Sequence, residues 1–499
     1  MLRSFISSLI PIVVALAPIA GCIGSEPSEA DPTQAIDLTA ASPRTAMVHL
    51  FEWRWNDVAE ECERFLGPKG FAGVQVSPPN EHASIAGHPW YQRYQPVSYK
   101  LESRSGTRAE LASMVRRCKA VGVDIYVDAV INHMAGGDGV GSAGTRYTHY
   151  DYPGTYQVQD FHHCDRPDSD IRDYSSRYEV QTCELVNLAD LDTGAPHVQE
   201  KIADYLNDLV GLGVAGFRID ATKHIAADDL RAILGRVRGN PYVYQEVIDQ
   251  GGEAIGAGEY FGIGDVTEFR YSLEIGRVFS EGKLAWLSEF GPAWGFMPSE
   301  KAIVFTDNHD NQRGHGGGGK VVSHKNGTLY DLANVFVLAY PYGYPQIMSS
   351  YRFDNTDQGP PADEEGRTRA VYRGDEPDCF GSSWVCEHRF RPVANMVGFR
   401  NATAGSFFTS NFWTNGDNQI AFGRGDKGFV AINRQQDPLV RRFETSMPEG
   451  TYCDVISGEL SPDGASCSGK TVRVDADRGV DLDVPTFGAI AFHAKSRLK

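Results

Sequence analysis

Three short stretches of this 499-residue chain carry residue types suited to acid–base and nucleophilic chemistry. The first, Gly216-Phe217-Arg218-Ile219-Asp220, is an apolar run that ends on a carboxylate. Residues two apart on a strand point the same way, so Arg218 and Asp220 would face one side together. A guanidinium beside a carboxylate keeps it ionised and lowers its pKa, as a carboxylate nucleophile requires. In the second, Tyr244-Gln245-Glu246-Val247, Glu246 closes another apolar run. The third, Phe305-Thr306-Asp307-Asn308-His309-Asp310-Asn311-Gln312, packs polar and charged groups behind a strand-like start. Each alone has a plainer reading: a structural ion pair, a strand end meeting water, an Asx-rich turn. Together they suit glycosidic cleavage with retention, in which carboxyl groups about 5–5.5 Å apart attack the sugar and protonate the leaving oxygen. Adjacent strands lie about 4.8 Å apart, so Asp220 and Glu246 on neighbouring strand ends meet that spacing. A third carboxylate, Asp310, would stabilise positive charge developing on the ring and raise the acid's pKa.

Residues so far apart in sequence need a scaffold that brings strand ends together. The hydrophobic pattern predicts strands at Thr45 to Phe51, Gly73 to Val76, Val123 to Ile131, Val214 to Asp220 and Tyr242 to Glu246. Three more follow near Asp265 to Phe269, Ile303 to Thr306 and Gln346 to Ser349. Helical spacing intervenes at Asn56 to Leu66, Thr107 to Val121 and Val198 to Leu212. Eight strands with interposed helices predict an α/β fold, a (β/α)8 TIM barrel, whose catalytic residues lie at the C-terminal strand ends. The expected barrel covers residues 45–132 and 192–405. An irregular Gly-, Tyr- and Asp-rich excursion occupies 133–191, and an all-β sandwich domain occupies 406–499, with strands at Gln419 to Gly423, Gly428 to Asn433 and Gly488 to Ala494.

Net charge is −18, from 47 basic and 65 acidic residues. That balance argues against nucleic acid or an anionic membrane surface as partner and suits a neutral polymer or bound cations. The N-terminus reads as an export signal over 1–22, with Arg3 ahead of an apolar stretch too short to span a bilayer. Ile19-Ala20-Gly21-Cys22 resembles a bacterial lipoprotein cleavage box, which would leave Cys22 lipidated; a plain cleaved signal is the alternative. Residues 23–44 read as a flexible tether. Without Cys22, eight cysteines remain, and roughly a hundred connectivities are open to them. Pairing neighbours along the chain is the simplest scheme, and an exported protein with structural disulfides is expected.

Asp128-Ala129-Val130-Ile131-Asn132-His133, Gly216 to His224, Glu246 and Phe305 to Asp310 resemble the four signature regions of the α-amylase family of glycoside hydrolases. The likeness runs from about residue 45 to the end. It is nearest the animal-type branch, through the segment Gly87 to Tyr99 and the Gly-rich loop Arg313 to Gly319. The resemblance implies Asp220 as nucleophile, Glu246 as acid/base and Asp310 as transition-state stabiliser. It implies an aromatic platform of Trp90, Tyr91 and Tyr94 under an α-glucan. Gln95, His133, Arg218, Lys223, His224, Glu253, His309 and His315 would contact the sugar, and Tyr174 would line the cleft from the excursion.

The resemblance further implies a structural Ca²⁺ held by Asn132, Asp190, His224 and the backbone carbonyl of Gln181, an oxygen-rich set that suits this ion. It pairs Cys62 with Cys118, Cys164 with Cys183, Cys379 with Cys386 and Cys453 with Cys467. Animal-type members bind an activating chloride through the positions of Arg218, Asn308 and a basic residue near strand eight. That last position is Gln346 here, a neutral amide, so activity independent of chloride is expected. The implied function is retaining endo-hydrolysis of α-1,4-glucosidic bonds in starch, glycogen and maltodextrins by a secreted, monomeric enzyme. A glucan transferase of the same family and a non-catalytic cell-surface glucan binder are the alternatives.

Overall fold

The computed structural model describes residues 45–499; the expected signal, Cys22 and the tether 23–44 lie outside the described residues. Eight parallel strands close into a barrel: β1 (Met47–Leu50), β2 (Gly73–Val76), β3 (Asp124–Ala129), β4 (Gly216–Ile219), β5 (Tyr242–Gln245), β6 (Asp265–Thr267), β7 (Ala302–Val304) and β8 (Tyr344–Ser349). Neighbours in sequence are neighbours in the ring, and β8 closes it by pairing with β1, Met47 opposite Gln346. Most strands are shorter than the apolar runs that predict them. β4 ends at Ile219 and β5 at Gln245, and one further backbone bond on each, Asp220 N to Ala129 O (3.1 Å) and Glu246 N to Ile219 O (2.9 Å), ties the two carboxylate residues to the strand ends. Burial continues past the strand ends, and a hydrophobic pattern reads burial rather than pairing.

Helices cover the barrel. The helix Trp55–Glu61 widens into a π-helical turn at Cys62–Leu66, within the single helix expected there. Cys62 is joined to Cys118 of the helix Arg108–Ala120, and this helix is started by a capping box between Thr107 and Glu110. The other three expected disulfides are also formed, Cys164–Cys183, Cys379–Cys386 and Cys453–Cys467.

Inside, the barrel is layered. Met47, Tyr244 and Ile303 make a small apolar cluster flanked by Tyr126 and Tyr344. Next to it lies a polar layer: Gln75 accepts hydrogen bonds from Tyr244 (2.7 Å) and Gln346 (2.7 Å) and donates to Asp128 (3.1 Å). Polar groups this deep persist because each finds a partner across the barrel.

Between β3 and β4 the chain leaves the barrel and forms a two-stranded hairpin (Gly139–Val140 with Arg146–Tyr147) and a short helix, Arg177–Thr182. The two ends of this excursion are laced together, Leu191 N donating to Asn132 O (3.0 Å) and Met134 N to Ala189 O (2.9 Å). After the helix Arg391–Ala402 come two four-stranded antiparallel sheets. Their core contains Phe429, Phe443, Tyr452 and Phe492. Arginines tie this sandwich to the barrel: Arg424 donates to Ala339 O (2.5 Å) and Arg434 to Gly282 O (2.6 Å).

Candidate active site

Arg218 projects from β4 and is nearly fully buried. Its Nη1 lies 2.5 Å from Asp128 Oδ1 and 2.7 Å from Asp220 Oδ1, and its Nη2 lies 2.6 Å from Glu246 Oε1. Register explains the convergence. Asp128 is the cross-strand partner of Arg218, and the pair Ile219–Gln245 places Asp220 and Glu246 side by side one step further on. Ala221, directly after Asp220, adopts a left-handed backbone with φ 48°, and its N–H donates to Glu246 Oε2 at 2.9 Å. A non-glycine residue in that region is strained, and here the turn supplies a donor to the second carboxylate.

Asp310 comes from the loop after β7. Asn308 Oδ1 accepts from the N–H groups of Asp310 (3.1 Å) and Asn311 (2.8 Å), an Asx cap that fixes this turn. His309 stacks on Tyr94 (centroids 5.0 Å apart) and meets Trp90 edge-on (5.7 Å).

The carboxyl groups of Asp128, Asp220, Glu246 and Asp310 all have pKa values above the ordinary range, and burial is the largest cause in each case. Asp128 is pushed up to about 7. The expected lowering of Asp220 is therefore corrected: Arg218 does pull its pKa down, but desolvation outweighs that pull. The charge on Asp220 in turn raises Glu246, and the charge on Glu246 raises Asp310. Four carboxyls around one guanidinium cannot all ionise cheaply, so the cluster holds protons near neutrality.

These groups open onto a cavity of about 530 Å³. Asp220, Glu246 and Asp310 line it, as do Trp90, Tyr91 and Tyr94. His133, Tyr174, Lys223, His224, Glu253, His309 and His315 line it too. Lys223 is paired with Glu253, donates to Ile248 O (2.8 Å) and sits 5.1 Å from the centre of the Tyr174 ring. Burial lowers the pKa of three of these imidazoles and holds them neutral, His133 and His224 both near 4 and His309 well below its ordinary value. His133 Nε2–H donates to Tyr94 O (3.0 Å), and Nδ1 accepts from Asn132 (3.3 Å), so protein groups hold that ring on both sides.

Two expected sugar contacts do not line this cavity. Arg218 lies beneath it and is consumed by carboxylates. Gln95 Oε1 accepts from Gly136 N–H (3.3 Å) and so anchors the start of the excursion. Asp128 went unassigned in the sequence; a charged residue inside a nearly all-apolar strand was the signal for it. The apolar wall of Leu185, Val186 and Leu188 also went unforeseen, because the excursion lacks a hydrophobic period.

The site makes stability depend on pH. A carboxyl whose folded pKa is raised keeps its proton where the unfolded chain has lost it, so stability falls as pH rises between the two values. Removing Arg218 raises these values further and leaves buried charges unpaired, a loss of about 3–5 kcal/mol at neutral pH. Arg218→Gln is expected to melt well below wild type at pH 8 and with a smaller deficit at pH 5, where protonation relieves the repulsion. Equal deficits at both pH values in paired thermal melts would sink this account.

Comparison with known proteins gives the same answer as the geometry. Residues 88–245 match the α-amylase catalytic-domain model, and residues 411–495 match the α-amylase C-terminal all-β domain. An α-amylase of Pecten maximus is 49% identical, covering 89% of this chain and 91% of the relative. The pancreatic α-amylase of Sus scrofa is 46% identical, over 92% and 96%. The crystal structure of α-amylase I from Eisenia fetida, a glutamate-to-glutamine variant in complex with maltohexaose, superposes with a TM-score of 0.86 at 43% identity, covering 90% of this chain and 97% of that one. With that identity along nearly its whole described length, and with carboxylates clustered at the mouth of an eight-stranded barrel, the chain belongs to the α-amylase family of glycoside hydrolases.

Proposed function

We propose that the chain cleaves internal α-1,4-glucosidic bonds of starch, glycogen and maltodextrins with retention, through a covalent glycosyl-enzyme. One observation carries this reading: a single guanidinium bridges Asp220 and Glu246 at the floor of the cavity, with Asp310 on its wall. Arg218 contacts both carboxylates, and Glu246 in addition feels the negative charge of Asp220, so Asp220 ionises first and Glu246 keeps the proton. An Asp220 oxygen attacks the anomeric carbon as the Glu246 proton passes to the departing glycosidic oxygen. Water then gives a proton to Glu246 and attacks the same carbon, releasing the Asp220 carboxylate. Asp310 opposes the positive charge that develops on the ring. Trp90 and Tyr91 offer ring faces to the glucan, and the neutral His309 and His224 offer hydrogen bonds to hydroxyls.

The donor set for a structural cation fits calcium. Asp190 is buried with its carboxyl pushed up to about 6, and its Oδ1 lies 3.2 Å from the Asn132 amide. His224 Nδ1–H donates to Val180 O (2.9 Å), which sets the Gln181 main chain beside His224. Carboxylate, amide and main-chain oxygens at the root of the excursion suit Ca²⁺, which would neutralise Asp190 and brace the excursion against the barrel. His162, unforeseen, shares Asp190 at 2.7 Å. For chloride, Gln346 donates to Gln75 (2.7 Å) and Tyr244 (3.2 Å), and Asn308 caps the Asp310 turn, so neither adds a cation beside Arg218. The four disulfides fit an oxidising compartment, and we place the enzyme outside the cell.

Three measurements test these points. On soluble starch the first-formed reducing ends should be α-anomers by proton NMR, and Glu246→Gln should lose roughly 10²–10⁴-fold in kcat; β-anomers, or an active Asp220→Asn, would refute the assignment. Dialysis against EGTA should lower the melting temperature, and Ca²⁺ but not Mg²⁺ should restore it. That response should vanish in Asp190→Asn, whereas identical melts with and without chelation count against the site. Rates in chloride-free buffer should change less than twofold on adding millimolar chloride, and strong stimulation overturns that expectation.

A further inference from the structure

Arg313 is only 3% exposed and lies three residues after Asp310. Among the described residues no carboxylate oxygen lies within 4 Å of its guanidinium. Four aromatic rings surround it instead: its central carbon is 4.1 Å from the centre of Phe353, 5.0 Å from Tyr351, 5.2 Å from Phe51 and 5.8 Å from Trp90. These rings come from the ends of β1 and β8 and from the segment that carries the platform. Ring faces stabilise a cation while leaving its charge unneutralised. Its guanidinium donates to the His309 carbonyl, from Nη1 at 3.0 Å, and also reaches the Tyr351 hydroxyl. Its own N–H donates to the Asp310 carbonyl at 2.9 Å.

We propose that Arg313 is a positioning residue, a cation clamped by aromatic rings that fixes the His309–Asp310 turn against the Trp90 platform. Trp90 is both a wall of this cage and a wall of the cleft, and His309 packs edge-on to it at 5.7 Å. Substrate platform and third carboxylate thus share one anchor, and a misplacement of about 1 Å at a reacting group costs on the order of 10²-fold in rate. A carboxylate partner would have cancelled the charge that the carbonyl of His309 uses. A lysine fills the same cage with a point charge and keeps one donor, whereas methionine fills it without charge.

The proposal rests on Asp310 acting at the reacting centre, so Asp310→Asn is assayed alongside. Arg313→Met should lower kcat on maltoheptaose at least tenfold with KM within threefold of wild type, and Arg313→Lys should recover most of that loss. Phe353→Leu removes the nearest ring from a position that does not line the cleft, and it should lower kcat threefold to tenfold. Wild-type kcat in both Arg313→Met and Phe353→Leu overturns the inference. So does a kcat loss in Arg313→Met that Arg313→Lys shares in full. Should Arg313→Met not fold, Phe353→Leu and Arg313→Lys decide alone. An active Asp310→Asn overturns the catalytic reading itself, whereas an inactive one beside an unimpaired Arg313→Met overturns only the role of Arg313.

Discussion

The contact between Arg218 and its carboxylates governs this structure. Burying several acidic groups in the mouth of a barrel costs more than hydrogen bonds alone recover, and one shared guanidinium makes the arrangement tolerable. Its two Nη atoms hold Asp128, Asp220 and Glu246 at 2.5–2.7 Å, so position and ionisation are set by the same bonds. The cluster still carries more negative charge than Arg218 can offset. That surplus keeps the cluster partly protonated, and Glu246 feels the charge of Asp220 as well as that of Arg218.

Around that centre the fold is a set of supports. Below, Gln75, Tyr244 and Gln346 link strands β2, β5 and β8 by hydrogen bonds and orient Asp128, to which Tyr94 also donates at 3.0 Å. Tyr94 is thereby tied to two things at once, the carboxylate layer and the stacked face of His309. On one side the excursion leans in through His133, held between Asn132 and Tyr94. On the other, the Asx-capped turn of Asn308 presents Asp310. Asp220, Glu246 and Asp310 therefore each rest on a different segment, and the register of a closed barrel brings those segments to one rim.

Much of this was legible in the residues. The alternation of buried strands with amphipathic helices identified the barrel, since a parallel strand covered on both faces must be nearly all apolar. Polar residues breaking such runs marked the rim: Asp220 after Ile219, Glu246 after Gln245, His309 and Asp310 after β7. Strand ends were overextended, because Val214 before β4, and Phe305 and Thr306 after β7, are buried outside those strands. Sequence spacing gave no account of the excursion's apolar wall, which forms from isolated residues in a segment without a period.

The residue types by themselves pointed to the chemistry: three carboxylates at ends of apolar runs, a guanidinium two residues before one of them, and a glutamine where a cation was expected. What only the tertiary structure decided was how they share charge. Whether Arg218 touches sugar or carboxylate, whether Asp220 sits below or above its ordinary pKa, and whether Arg313 meets an acid or a ring of aromatics all depend on burial and on partners brought in from other strands and loops. Those quantities arise from desolvation and cross-strand register, and neither is a property of any local stretch of chain.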